Sequence, residues 1–592
     1  MDEKIIVAID FGSAYTGYTY SFIGRNSNEI LFGKFEGTGA NIKTLNKIII
    51  NNSNEVIKYG FGVEDYLKKG NLKSNEYLFE RIKMNLYKNN YEIKAVNSSK
   101  TVKLVELIYI IINYLKELAI KSIISSSKGF QDEYKYDEEC KRIRWVLTIP
   151  AIWNDKNKDI MMKAAEKAGI VKEKGKNLFF ALEPEAASYY CAKELPVDDD
   201  LFNYPYIICD LGGGTGDIVC HQRILKEGKE SIKEKISPRG GAFGSDEINK
   251  NFENEVLKSI FGKDIFDKLG QAYIESLRNG KKNFSQKYVV FKNEINHFKE
   301  SLDVDNYSEE TLNIDCSILF NINKGIKIKE AIDNYNNNCR NGWKINVDGM
   351  DEDDRAIPFP YKIIYDLTKD ITKEISKILI DIIHNVSDTK TIFYVGGFCN
   401  SKMVVDSIRE NIDKEYPNLN HIRPNDPGNA VLKGAVMYGI SPDRIKIRKA
   451  KYSLGMSAYL DWKSDYENGG IKYYDDEFKK YVCKNAFYNF ISKEEDIPYD
   501  NIIKKPLRLR KYDDGTYGGE LIIYKSTKIN TLFIDEDDVE EIGRFNLLID
   551  DGNEYSDGDE IFYVSMELGG TFLNAKAFHE KSNTCEEIKF KY

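Results

Sequence analysis

The chain has 592 residues, 42% of them apolar and 30% charged, with a formal net charge of -9. At roughly 150 residues per domain this is about four units of chain, more than one core can use. The acidic balance excludes a general nucleic-acid binder, which needs a basic footprint, and no apolar run approaches the ~18 residues of a membrane span.

The opening residues, MDEKIIVAID, enter a strand at once and lack the basic start and apolar core of a secretory signal. Nine cysteines are scattered without a C-x-x-C pair. That usage predicts buried thiols in a reducing, cytoplasmic compartment. The five histidines are dispersed; no zinc site is expected, and His221 and His297 read as packed or surface residues.

Residues 5–22, IIVAIDFGSAYTGYTYSF, and residues 206–222, YIICDLGGGTGDIVCHQ, share one plan. Each has a short buried-strand run, then Asp, an apolar residue and Gly, then small residues with Thr-Gly, then a second strand-like run. This predicts two β-hairpins with small-residue tips. Glycine lets a phosphate approach the backbone closely, and successive N–H groups in such a turn can converge on one anion. An Asp at the strand end would be repelled by phosphate, so Asp10 and Asp210 are expected to face Mg²⁺ through its waters. Two such hairpins facing each other would clamp a polyphosphate.

Between the hairpins, Leu104 to Leu118 reads as a buried amphipathic helix. Residues 149–170 follow a strand with a helix that Asn154 or Asp155 can cap and Gly169 can end. In ALEPEAASYY, residues 181–190, Glu183 ends an apolar run. It is either a carboxylate reaching a metal water or attacking water, or a helix-start charge. Beyond the second hairpin, residues 392–412 predict a strand, the pair Gly396-Gly397, and an amphipathic helix. A double glycine there allows close approach by a nucleoside. In GNAVLKGAVMYG, 428–439, Gly434 and Ala435 permit tight packing either beside a nucleotide or against another helix.

Taken in order, DFGSAYTG, IPAIWND, EPEAA, DLGGGTGD, GGAFGSDEIN and VGGFCNS resemble the motifs of the 70-kDa heat-shock protein (DnaK-type) family of the actin-like ATPase superfamily. More narrowly, FERIKMNLY at 79–87, GDIVCHQ at 216–222, the insertion-like region 251–354 and the C-terminal tail are similar to its divergent twelfth subfamily. The resemblance implies ATP/ADP and Mg²⁺ as ligands. Asp10, Glu183 and Asp210 would hold the hydration shell of Mg²⁺ and order the lytic water. Lys83 would stabilise the transferring γ-phosphate. Gly12, Ser13, Ala14 and Tyr15, with Gly212, Gly213, Gly214 and Thr215, would cradle phosphates. Gly396, Gly397 and Phe398 would meet the nucleoside, and Asp246 would frame the cleft. Two departures stand out. Ser13-Ala14 replaces the usual Thr-Thr, losing a hydroxyl bond of about 1.5–3 kcal/mol. The family's adenine-clamping helix has no clean match in residues 291–302, where Lys292, Glu294 and Lys299 are either its counterparts or solvated helix charges.

After about Gly439 the acidic, leucine-rich linker of typical members is absent, and residues 450–592 read as mostly β. GELIIYKS at 519–526 and EIFYVSMEL at 560–568 are expected strands, as is the alternating tail from Glu587 to Tyr592. IDEDDVEE, 534–541, reads as a solvated acidic loop rather than a Ca²⁺ site. The expected architecture is α/β: a two-lobed actin-like ATPase of duplicated ribonuclease-H-like subdomains over 1–440, with lobes of about 1–205 and 206–440, then a smaller β-rich module over 441–592, either a reduced substrate-binding domain, as the resemblance implies, or a scaffold surface. The expected function is a slowly hydrolysing, chaperone-like ATPase with protein or peptide clients and co-chaperones. The alternatives are a nucleotide-sensing scaffold with little turnover and a small-molecule kinase on the same fold.

Overall fold

A computed structural model of the chain describes residues 5–23, 29–37, 39, 41–70, 72–126, 143–171, 177–194, 200–226, 229–279, 281–300, 310–476, 479–499, 501–508, 510–511, 517–549, 561–568, 573–587 and 589–590. The chain divides into two compact units, Met1–Val219 with Arg239–Pro442, and Cys220–Pro238 with Asp443–Tyr592.

The first unit is α/β with several sheets. Strands β1 (Ile5–Phe11) and β2 (Tyr15–Phe22) form the first hairpin. Next, β3 (Lys47–Asn51), β4 (Val56–Tyr59) and β5 (Glu76–Glu80) make a small antiparallel sheet carrying helix α1 (Phe61–Lys68). Helix α2 (Ile82–Tyr87) follows β5 almost at once, after Arg81 in the left-handed region. Then come α3 (Leu104–Ser126), β6 (Ile143–Ile149), α4 (Asp155–Lys167), β7 (Leu178–Leu182) and α5 (Glu183–Glu194). The main sheet has the order β7-β6-β1-β2, with β7, β6 and β1 parallel and β2 antiparallel to β1. Every residue of β1 is buried. A strand covered on both faces needs a continuous apolar run rather than alternation, which is what IIVAIDF supplies.

Local signals explain the helix bounds. The Asn154 side chain accepts a hydrogen bond from the Asn157 backbone N–H at 2.9 Å, so Asn154 rather than Asp155 caps α4. Gly169, at φ +70°, lies just past its end. Helix α3 runs further than expected, to Ser126, because its apolar stripe continues through Ile120 and Ile123. Its buried Lys116 donates to the carbonyl of Ala168, the residue that ends α4, at 2.7 Å. A cation there offsets the carbonyl end of the helix dipole.

The rest of the first unit repeats the plan. The second hairpin is β8 (Tyr206–Leu211) and β9 (Gly216–Lys226), followed by β10 (Lys229–Gly241). Helices α6 (Asp246–Phe252), α7 (Lys263–Arg278), α8 (Lys282–Glu300) and α9 (Tyr361–Asn385) precede β11 (Thr391–Val395), α10 (Lys402–Ile412), β12 (Asn420–Ile422) and α11 (Ala430–Ile440). Here the order is β12-β11-β8-β9, with β12, β11 and β8 parallel. Both sheets therefore flank a hairpin with two parallel strands on the same side. Helix α11 packs on α5 and β1. A side chain at Gly434 would run into the Ala186 carbonyl, which explains the small residue there. The chain leaves the first unit along β9 and returns along β10.

In the second unit, Ile445–Lys449 pairs parallel with β10 and antiparallel with Asp496–Pro498. Most of the remainder forms two antiparallel sheets. Met456, Ile523 and Phe545 of one and Phe562, Val564 and Met566 of the other share a single core. The expected strands are present as Tyr517–Ser526 and Ile561–Glu567. The segment 534–541 differs from the expected loop, because its last three residues open the strand Val539–Ile549. Two of its other carboxylates are used internally: Lys528 pairs with Glu536 and Asp538, each at 2.8 Å. Glu560, Ile588, Lys591 and Tyr592 of the expected strands lie outside the described residues.

Candidate functional site

The two hairpin tips meet. A Cβ on Gly213 would lie 2.7 Å from the Cβ of Ala14, and one on Gly214 would lie 3.0 Å from the Cβ of Ser13 and run into the sulfur of Met84. Only glycine lets the tips come this close. The first tip is held from below by Asn46, whose side-chain amide donates to the Gly12 carbonyl at 2.6 Å and whose backbone N–H donates to the Ala14 carbonyl at 2.8 Å. The second is closed by the Gly212 N–H donating to the Thr215 carbonyl at 2.9 Å. Behind it, the N–H groups of Ser245 and Asp246 donate to the carbonyls of Gly212 and Gly213 at 3.1 and 2.8 Å. Asp246 thus frames the second tip through its backbone, at the start of α6. Tyr15 is exposed, its ring 6.3 Å from that of Phe61.

Four carboxylates are buried beneath the tips: Asp10 near the end of β1, Glu183 at the start of α5, Asp210 near the end of β8, and Asp217 in β9. Two ammonium groups answer them. Lys83, in α2, pairs with Glu183 and lies 5.5 Å from the centre of the Trp153 ring. Lys43 lies 2.7 Å from Asp10 Oδ2 and donates to the Gly428 carbonyl at 2.8 Å. The other Asp10 oxygen accepts from the Thr148 hydroxyl at 2.9 Å. Asp217 accepts from the Ile152 N–H at 3.1 Å.

This charge balance governs the ionisation of the site. Burial pushes the Asp10 carboxyl up, but Lys43 and Lys83 outweigh it and hold it below its usual range. For Glu183, burial dominates; Lys83 pulls it back while Asp217 and Asp10 push it further, to about 7. Asp210 is held well above the ordinary range by burial, with Glu183, Asp217 and Asp10 adding to it. With all four carboxylates ionised, two lysines leave an excess of negative charge, the condition that favours a divalent cation. Among the described residues, no group of three or more His, Cys, Asp or Glu side chains is arranged to hold a metal directly. Carboxylate oxygens suit a hard cation such as Mg²⁺, which keeps much of its hydration shell and can be held through its waters.

The glycine pair after β11 borders the same carboxylates. Gly396 has φ +89°, and a Cβ there would lie 2.5 Å from Asp210 Oδ1. Its N–H donates to the Pro427 carbonyl at 2.8 Å, next to the Gly428 that Lys43 holds. Gly397 faces open space, whereas Phe398 is buried. The helix charges on α8 are engaged locally: Lys292 pairs with Glu253 at 3.0 Å, Glu294 accepts from the Asp315 N–H at 2.8 Å, and Lys299 approaches the Ser245 hydroxyl at 3.5 Å. His221 is buried and His297 exposed. Burial, and secondarily Arg448, lowers His221 to about 3.

Sequence reasoning assigned no role to Lys43, Thr148, Asn46 or Asp217. Asp217 had a signal, as the last residue of DLGGGTGD, where the first hairpin has Tyr18 after Thr-Gly. Lys43 had none: it lies between β2 and β3, and only the fold brings it to Asp10.

No family model matches the chain. Its curated relatives include heat shock 70 kDa protein 12A of Mus musculus and of Homo sapiens, each 26% identical over 97% of this chain and 89% of the relative. Heat shock 70 kDa protein 12B of Homo sapiens is 21% identical over 98% of this chain and 90% of the relative. The chain is thus similar over nearly its full length to members of the 70-kDa heat-shock protein family. Within it, the similarity is to the 12A and 12B kind.

Proposed function

We propose that the chain binds Mg-ATP between the two hairpins and hydrolyses it slowly, as a chaperone-like ATPase with the actin-like, two-lobed plan. The observation that carries this reading is the meeting of the tips over four buried carboxylates and two lysines. In this reading residues 1–440 are the nucleotide-binding domain, in lobes of about 1–205 and 206–440. Residues 441–592 are the module offered to protein or peptide clients. The repeated sheet plan supports the two lobes.

The chemistry expected of the residues is positioning and charge neutralisation, the main components of phosphoryl transfer. Backbone N–H groups of Gly12 to Tyr15 and Gly212 to Thr215 bind the phosphates. Asp10 and Asp210 hold the waters of Mg²⁺, which when bound neutralises phosphate charge. Lys83 answers the charge on the terminal phosphate. Glu183, poised near pH 7, orients the attacking water and can take its proton; a base is most effective when its pKa is close to the working pH. Gly397, which faces open space, admits the nucleoside close to the backbone. One residue favours the second reading, a nucleotide-sensing scaffold: Ala14 offers a methyl where a hydroxyl would bond phosphate or metal water.

The test is Mg-ATP titration calorimetry with single-turnover hydrolysis, on the wild type beside Asp210→Ala and Lys83→Ala. Asp210→Ala should weaken the metal-bound nucleotide, and Lys83→Ala should mainly slow turnover. Absence of Mg-ATP binding by the wild type overturns the proposal. Tight binding without phosphate release over hours leaves the scaffold.

A further inference from the structure

Lys83 reaches Glu183 from a very short helix, so something else must hold that helix in place. Asn157 holds its far end, donating to the Leu86 carbonyl at 3.0 Å, and its near end is set by β5, which ends at Glu80, directly before Arg81 and α2. Strand β5 is in turn covered by α7, from the segment that follows the second hairpin. Ile49, Val63, Leu67 and Leu78 of the small sheet and α1 form one buried cluster with Tyr273 and Leu277 of α7. Phe284 and Tyr288 of α8 pack against it, and the Tyr273 and Tyr288 rings stack 3.8 Å apart at 14°.

A polar chain runs the same way. Arg278, the last residue of α7, donates from Nε to the Asn97 carbonyl at 2.7 Å. The Asn97 side chain accepts from the Leu78 N–H at 2.9 Å and donates to the Glu76 carbonyl at 2.7 Å. Both an apolar face and a hydrogen-bonded relay therefore tie α7 to the strand that delivers Lys83. Buried aliphatic contact of this kind is sensitive to a few missing atoms, because the cavity relaxes only in part.

We propose that α7 is the positioning element for Lys83: Tyr273, Leu277 and Arg278 fix β5, and β5 sets Lys83 on Glu183 and on the terminal phosphate of the bound nucleotide. The segment behind the second hairpin thereby controls how well the site tells ATP from ADP. This rests on the nucleotide-binding reading above, in which Lys83 meets the terminal phosphate. Tyr273, Leu277 and Arg278 touch no reacting atom; they act through Lys83.

The experiment measures the affinities of the full chain for Mg-ATP and Mg-ADP in the wild type, Leu277→Ala, Leu277→Met and Lys83→Ala. Loss of one charge-assisted contact should lower the preference for ATP about tenfold in Lys83→Ala and Leu277→Ala alike. Affinity for ADP should stay unchanged, and Leu277→Met, which keeps the volume, should restore the preference. Amide exchange at residues 80–88 should accelerate in nucleotide-free Leu277→Ala and not in Leu277→Met. If Lys83→Ala loses the preference and Leu277→Ala keeps it, the role of α7 is overturned while the reading of Lys83 stands. If Lys83→Ala keeps it, the role of Lys83 fails, and α7's with it. Equal loss of both nucleotides in Leu277→Ala makes α7 merely structural, and no binding by the wild type overturns both proposals.

Discussion

Lys43 Nζ lies 2.7 Å from Asp10 Oδ2 and 2.8 Å from the Gly428 carbonyl oxygen. One ammonium thus joins the first hairpin to the loop beside Gly396. Lys43→Gln leaves the Asp10 carboxylate buried without its closest cation, and breaking a buried pair costs about 3–5 kcal/mol. Because the Lys43 side chain keeps 17% exposure, the lower end is expected. The midpoint of chemical denaturation in the metal-free protein should fall accordingly. Added Mg²⁺ should recover more stability in this variant than in the wild type.

Glu183 makes the stability of the metal-free site dependent on pH. Its carboxyl titrates near 4.5 in an unfolded chain and near 7 in the folded one. Between those values the folded protein holds a proton that the unfolded chain has released, so stability falls as pH rises through that window. Denaturation midpoints measured across it should decline, and Glu183→Gln should flatten the slope.

Asp217→Asn keeps an oxygen to accept the Ile152 N–H and removes one charge. Glu183 then loses a repulsive neighbour and should titrate lower, moving the pH window of the preceding experiment downward. The affinity for Mg-ATP should weaken, while affinity for metal-free ATP should rise with the smaller negative charge. Calorimetry with and without chelator separates the two.

Gly396→Ala asks an L-residue to adopt φ +89° and to fit a Cβ against the Leu211 carbonyl and Asp210. At φ +89° and ψ +161°, a region essentially reserved for glycine, the backbone cost is about 1–3 kcal/mol, and overpacking adds about 1–3 kcal/mol. The thermal midpoint should drop. Nucleotide affinity should drop too, since Asp210 must shift. An unchanged midpoint would mean that the β11 turn relaxes freely.

How much of this was legible in the chain follows from the range of each interaction. The hairpins were legible because Asp, Gly and small residues must be neighbours to make a tip, and the same pattern occurs twice. The start of α4 was legible because capping is a bond between residues three apart. The extent of α3 and the strand at Val539 were missed by a few residues, because packing against distant segments decides where an element stops. Asp246 meets the second tip through its N–H, which donates to the Gly213 carbonyl, a contact that no side-chain pattern reveals.

The sequence by itself determined the repeated hairpin chemistry, the family resemblance and the main carboxylates, all encoded in short windows where residue type restricts backbone shape. Tertiary structure alone decided that Ala14 faces Gly213, that Lys43 neutralises Asp10, and that Asp217 joins the other three carboxylates. It also decided that Asp10 is held below the usual carboxylate range while Glu183 and Asp210 are pushed above it. Ionisation depends on burial and on charges brought together from β1, α2, α5, β8 and β9, and those distances exist only once the chain has folded.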